Sequence, residues 1–305
     1  MEMALYLLAR VLIAVLQALP IGIVALLGRV GGMVTYVLDR RHRRVALKNL
    51  RLTYGAERPP AEIKALAREN FRCIGEAYAC AVKTAMMPQA QLEQRLEFIG
   101  AEKLAPHAAG NPPRSIVIAI GHFGNFELYA HLGPLAPGYE LATTYRGLRQ
   151  PSLNRLLTAL RNRSGCTFYE RRSEFGALKA ALRRGGVALG LLADQHAGNH
   201  GVRLPFLGRE CSVSAAPALF ALRYDSPLHT AFCYRIGLAR WRIEVGDEIP
   251  LRAGGEFRSV EAITRDVNQA FEVAVRRQPE NWFWVHNRWK PAPTRAPKPA
   301  AELQP

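Results

Sequence analysis

The chain predicts an α/β fold, a layered and largely parallel sheet flanked by helices, with an N-terminal membrane-anchoring helix in front of it. Three observations carry this expectation. From residue 115 onward, strand-like runs alternate with helix-like amphipathic runs. Several of the strand-like runs are apolar throughout, as strands covered by helices on both faces must be. Residues 3–27, MALYLLARVLIAVLQALPIGIVALL, contain one charge, Arg10, with Gln17 the other strongly polar side chain.

That opening stretch is long enough to cross a hydrocarbon core of about 30 Å at 1.5 Å per residue. Arg10 would cost on the order of 3 kcal/mol at the bilayer centre, but near one end it can snorkel to the headgroups. Pro20 is placed to kink or break the helix. A cleaved signal peptide fits less well, because the chain starts Met1-Glu2-Met3 and no small-x-small cleavage site precedes the basic run. A helix lying in the interface is the other reading. The basic run is DRRHRRVALKNL, with Arg40, Arg41, Arg43, Arg44 and Lys48. Such residues stay on the cytoplasmic side of an apolar segment and are drawn to an anionic leaflet. The expected location is therefore the cytoplasmic (inner) membrane, single-pass or monotopic, with the body of the protein in the cytoplasm.

Residues 60–86 read as a helix. Strands are expected at 115–120, 140–144, 187–193, 229–234 and 241–245, and helices at 127–132, 152–163, 173–184, 213–223 and 259–277. The tail from Pro291, rich in proline and alanine, has no periodic pattern and is expected to be disordered. The organisation that follows is an anchor at 1–38, one α/β domain at 39–290 and a tail at 291–305.

Composition narrows the function. Lys and Arg number 41 against 25 Asp and Glu, a net charge of +16, which points to anionic partners. Nucleic acid is not among those expected, since no zinc-finger spacing, RNA-recognition aromatic signature or basic coiled coil is present. The five cysteines are scattered and never spaced C-x-x-C, which argues against a disulfide framework or a structural zinc site, and no metal ligands are expected.

The chemistry concentrates in AIGHFGNFELYAHL, residues 119–132. In α/β sheets reactive groups gather where strands end and helices begin, and His122 stands at such a point. Gly124 and Asn125 permit a tight turn, and Glu127 falls in the first helical turn, where a negative charge is favoured. From there Glu127 could fold back on His122 as a base–orienter pair of the kind that activates a hydroxyl. The plainer reading is a histidine satisfied by a local carbonyl, with Glu127 a helix-start charge. No G-x-S-x-G elbow, phosphate-loop motif or H-E-x-x-H motif occurs. The glycines of GRVGGM (28–33) belong to the membrane end rather than to a strand–helix turn.

Together these blocks resemble the bacterial lipid A biosynthesis acyltransferases, the late lauroyl/myristoyl transferases of the lysophospholipid-acyltransferase-like superfamily. GHFGNFE is similar to their H-x4-D/E motif through His122 and Glu127, and RRVALKNL to the signature after the anchor. RNRSGCTFYERRSEFGALKAALRRGG resembles their central arginine region, with Arg171 where a functional arginine is expected. LLADQHAGNHGVRLPFLGR is similar to the D-Q…G…P-F-F-G segment through Asp194, Gln195, Gly201, Pro205, Phe206 and Gly208. PENWFWVHNRWK resembles the closing block, with Trp284, His286, Arg288, Trp289 and Lys290. One departure is the leucine of PFLG, where aromatic residues are usual.

The resemblance, covering residues 5 to 290, implies a glycerolipid-acyltransferase-like fold and an O-acyltransferase that needs no cofactor. The acyl thioester, on acyl carrier protein or coenzyme A, is a co-substrate. The acceptor would be a hydroxyl of a lipid A precursor, or of a related glycolipid or lysophospholipid such as a phosphatidylinositol mannoside. His122 would be the base and Glu127 its orienter. Arg171 and backbone N–H groups at Gly124 and Asn125 would serve the oxyanion, or Arg171 would hold a lipid phosphate. Asp194, Gln195 and Arg288 would support the site. A reading of another class, a non-catalytic protein binding anionic lipid, predicts that the arginines at 40–44 matter and His122 does not.

Overall fold

The computed structural model describes residues 2–107, 112–133 and 136–290; the tail read as disordered lies outside them. The apolar opening is two helices rather than one. α1 spans Glu2–Ala18 and α2 spans Ile21–Leu38, with Pro20 at the break. Proline supplies no N–H to continue α1, but at the entrance to α2 that N–H would be unpaired anyway. The span expected at 3–27 is thus divided, and Ile21–Leu38 is the one helix among the described residues long and apolar enough to cross a membrane. Both helices leave large apolar side chains exposed, among them Leu8, Val11, Leu12, Leu26, Val30 and Val37.

The other face of α2 packs along α4 (Pro60–Thr84) through small residues. A Cβ on Gly32 would lie 2.0 Å from the Phe71 carbonyl oxygen, and one on Gly75 would lie 2.1 Å from that of Gly28. Backbones meet this closely only where side chains are absent. Glu76, buried on the same face of α4, bonds Arg235 Nε at 2.7 Å, Arg29 Nη1 of α2 at 3.2 Å and the Ala239 N–H at 2.9 Å. Glu76→Ala leaves Arg235 without its carboxylate and Arg29 with Glu69 alone, and is expected to destabilise the fold by about 3 kcal/mol. Denaturant titration in detergent measures it; a loss below about 1 kcal/mol would show that the cluster does not tie anchor to sheet.

Asp39 starts α3 (Arg40–Tyr54) by accepting the His42 N–H at 3.0 Å. Asn49 on α3 and Asn70 on α4 are buried and donate to the Trp284 and His286 carbonyls and to the Glu280 and Trp282 carbonyls, respectively. The N-terminal helices thereby fasten the C-terminal aromatic block. In that block Trp282, Trp284 and Trp289 pack with ring centroids 4.7–6.5 Å apart.

After the short helix α5 (Gln89–Glu93), the strands are β1 (Leu96–Ile99), β2 (Ile116–Ile120), β3 (Glu140–Tyr145), β4 (Thr167–Glu170) and β5 (Val187–Leu192). Next come β6 (Val202–Phe206), β7 (Arg209–Val213), β8 (Leu228–Gly237) and β9 (Arg240–Val245). Seven of them form one sheet in the order β1-β9-β8-β2-β5-β3-β4, parallel except between β8 and β9. The helices α6 (Pro151–Arg161), α7 (Phe175–Arg184), α8 (Ala216–Arg223) and α9 (Val260–Arg277) follow the expected periods. β2, IVIAI, is β-branched and covered on both faces. β1 and β4 lie outside the expected strands; each is four residues long and sits at a sheet edge, too short to show a period. The hairpin β6–β7 was also not anticipated. Its two-residue turn puts Leu207 at φ 48° and Gly208 at φ 76°, the left-handed pair such a turn demands.

Candidate active site

His122 lies two residues past the end of β2 and Asp194 two residues past the end of β5. The strands are parallel neighbours with Ile120 opposite Leu192, so the two side chains leave the sheet side by side. His122 Nδ1 meets Asp194 Oδ1 at 2.8 Å, and Asp194 Oδ2 accepts the His122 backbone N–H at 3.0 Å. Trp282 Nε1 donates to the same Oδ2 at 2.8 Å. Burial alone would raise the pKa of Asp194, but the charge and hydrogen bonds of His122 and the Trp282 donor outweigh it and hold the carboxyl below its ordinary value. An ionised carboxylate on Nδ1 keeps the proton there and leaves Nε2 as the basic nitrogen. The Gln195 amide is 3.4 Å from that Nε2. Phe126 and Phe283 flank the ring, at 4.9 and 5.7 Å between centroids.

Glu127 is therefore not the carboxylate on His122. It is held by a two-pronged bond from Arg161 of α6, at 2.5 and 3.1 Å. Two physical causes divert it. The segment after the turn is a 3₁₀ helix, Phe126–His131, rather than the expected α-helix, so its side chains point differently. A guanidinium fork also matches a carboxylate better than an imidazole does.

The turn residues are structural in a specific way. Gly124 has φ 47°, and a Cβ there would sit 2.5 Å from the Cys233 carbonyl oxygen, so only glycine fits. Its N–H, expected to face an oxyanion, donates instead to the Asn281 carbonyl at 3.1 Å. Asn125 is buried beneath the turn, its amide 3.5 Å from Thr84 Oγ1 and its carbonyl accepting the Leu128 N–H.

His122, Glu127 and Gln195 line a cleft of about 900 Å³. Its walls carry Val82, Leu148, Leu160, Leu192, Phe175 and Phe220, and its cationic groups are Arg146, Arg161 and Arg171. Arg171 bonds Thr144 Oγ1 at 3.3 Å through Nε. An apolar void of about 80 Å³ lies against β2, β3, β5 and β8 and shares Ala130 with the lining of the cleft. Arg288 does not reach the cleft. It is fully buried over the Phe206 ring, and its Nη1 donates to the Gln195 carbonyl at 2.8 Å and the Ser212 carbonyl at 2.7 Å, clamping the turn that presents Asp194. Burial drives His286 down to about 4, and this neutral ring accepts the His196 N–H at 3.0 Å.

Trp282, Arg161 and Asn49 were not anticipated as contributors. Each lies inside a block that carries the resemblance, Asn49 in RRVALKNL, Arg161 at the head of the central arginine region and Trp282 in PENWFWVHNRWK, but none was singled out there. The arrangement can take a proton at Nε2, stabilise the resulting imidazolium through Asp194, and receive a ligand with an apolar chain and an anionic head.

Comparison with known proteins agrees with this chemistry. The lipid A biosynthesis palmitoleoyltransferase of Escherichia coli (strain K12) is 25% identical over 279 residues, covering 90% of this chain and 87% of that protein. The E. coli lipid A biosynthesis lauroyltransferase is 24% identical over 283 residues, 92% and 89% of the two chains. The phosphatidylinositol mannoside acyltransferase of Mycolicibacterium smegmatis (strain ATCC 700084 / mc(2)155) is 24% identical over 242 residues, 76% and 75%. The family described as bacterial lipid A biosynthesis acyltransferase matches residues 2–291. With the strand-end histidine, its apolar cleft and this full-length match in agreement, the chain belongs to the bacterial lipid A biosynthesis acyltransferase family, enzymes that transfer acyl groups to lipid.

Proposed function

We propose that this protein moves a fatty acyl chain from an acyl thioester, on acyl carrier protein or coenzyme A, to a hydroxyl of a lipid A precursor, with His122 as base and Asp194 as its orienter. The observation that carries the reading is the His122–Asp194 bond at 2.8 Å on the wall of a large apolar cleft with a cationic rim. The acceptor oxygen attacks the thioester carbonyl while its proton passes to His122 Nε2. The tetrahedral oxyanion then collapses, the C–S bond breaks, and the imidazolium returns the proton to the departing thiolate. Arg171 or Arg146 serves the oxyanion or a phosphate of either substrate. Glu127, fixed on Arg161 beside the ring, shapes the site of the acceptor. The apolar walls and the adjoining void take the acyl chain.

The exposed apolar faces of α1 and α2 fit a membrane-bound enzyme, and the arginines at 40–44 support a body on the anionic cytoplasmic side. The net charge of +16 suits an acidic carrier and a phosphorylated acceptor. A second acceptor, a phosphatidylinositol mannoside, is supported by the relative named for it. Mass spectrometry decides between them. Purified protein is incubated with acyl carrier protein or coenzyme A thioesters and with a lipid A precursor, a phosphatidylinositol mannoside or a lysophospholipid. One acyl chain is expected on the lipid A precursor. Acylation of another acceptor alone would move the assignment, and acylation of none would end it.

A further inference from the structure

Away from His122, beside the start of β8 and the end of β9, three ligand-type side chains from separate segments converge. His107 closes the short 3₁₀ turn Ala105–His107, His229 is the second residue of β8, and Glu248 follows β9. β8 runs parallel to β2 with His229 opposite Ile118, four strand positions back from residue 122. His107 Nε2 is 3.2 Å from His229 Nε2 and 3.4 Å from Glu248 Oε2, and the three ligand atoms lie within 4.8 Å of one another.

We propose that His107, His229 and Glu248 form a binding site for a divalent transition-metal ion, with Zn²⁺ the best match. Bonds of about 2.0–2.2 Å to a tetrahedral zinc place neighbouring ligand atoms about 3.3–3.5 Å apart, close to the spacings His107 makes here. The imidazole of His229 is also orientated for this purpose. Its Nδ1 is 3.1 Å from the Gly246 carbonyl oxygen, which can accept only an N–H, so Nε2 carries a lone pair aimed at His107. That is the backing by which a metal-binding histidine is usually held. One N–H on His107 Nε2 cannot serve both His229 and Glu248 well, whereas one cation satisfies all three. His229 is buried, His107 nearly so and Glu248 half exposed, giving a fixed base and an open side for a water as fourth ligand. The nearest ammonium, Lys103, is neutralised by Asp247 at 2.7 Å. The ion would pin residues 105–107 to the sheet; Leu104 beside them lines the apolar void together with Val245. The sequence led to no expectation of a metal site because that reading rested on cysteine spacing; this donor set contains no cysteine and is assembled by tertiary structure alone.

The test uses the full chain in detergent, prepared without a polyhistidine tag, stripped with a chelator and titrated with Zn²⁺ against a chromophoric competitor. One Zn²⁺ per chain is expected, with affinity falling about tenfold or more in His107→Ala and in Glu248→Gln. Co²⁺ should give the intense visible bands of a four-coordinate site, bleached by Zn²⁺, and Zn²⁺ should raise the unfolding temperature of the parent protein but not of the variants. Glu248 is exposed enough that its variant folds, which circular dichroism verifies. No stoichiometric Zn²⁺, or equal affinity in the folded Glu248→Gln protein, would overturn the site and leave a hydrogen-bonded cluster. Neither outcome touches the acyl-transfer reading.

Discussion

Replacing His122 by alanine is expected to lower acyl transfer by at least about a hundredfold while the protein stays folded. The imidazole supplies the only basic nitrogen held on a carboxylate in the cleft among the described residues, so its removal leaves the attacking hydroxyl to lose its proton to water. Folding survives because Asp194 keeps two donors, the residue-122 backbone N–H and Trp282 Nε1. His122→Gln is a sharper companion, since its amide can still donate to Asp194 yet cannot accept a proton at useful pH. Turnover is measured by lipid mass spectrometry and folding by circular dichroism. Near-parental rates in either folded variant would defeat the proposed base.

Asp194→Asn is expected to cost on the order of 10³- to 10⁴-fold in kcat with little change in KM, for a reason the geometry makes explicit. Three N–H groups point at this carboxylate: two on Oδ2, from His122 N and Trp282 Nε1, and one on Oδ1, from His122 Nδ1. An asparagine has one carbonyl oxygen, which settles on the Oδ2 side where two donors wait. Its NH₂ then faces Nδ1, which must become the acceptor, and the ring proton moves to Nε2, where the acceptor hydroxyl needs a lone pair. Glu127→Gln is the control. It weakens the bond to Arg161 without touching the tautomer, so its main effect should be a raised KM for the acceptor. If Glu127→Gln lost kcat and Asp194→Asn did not, Glu127 would be the orienter after all.

Much of this site was legible from residue order. The run Ile116–Ile120 ends at a glycine with a histidine next, and a residue there leaves a strand of a helix-covered sheet whatever its neighbours are. Gly124 and Asn125 marked the turn, and φ 47° at Gly124 bears out its purpose. Asp194 and Gln195 came from the family resemblance, and there only as support for the site. What misled was proximity in sequence. Glu127 is five positions from His122, yet a guanidinium on α6 captures it.

Local pattern decided the alternation of strands and helices, the apolar N-terminal stretch and the strand-end position of His122, because these depend on residues a few places apart. Tertiary structure decided which carboxylate serves that histidine. β2 and β5 lie next to each other with Ile120 opposite Leu192, and continuing both strands by two residues brings positions 122 and 194 together across 72 intervening steps of chain. Strand order and register are settled by which helices cover which faces, a property of the whole packed chain. No short window of residues contains it.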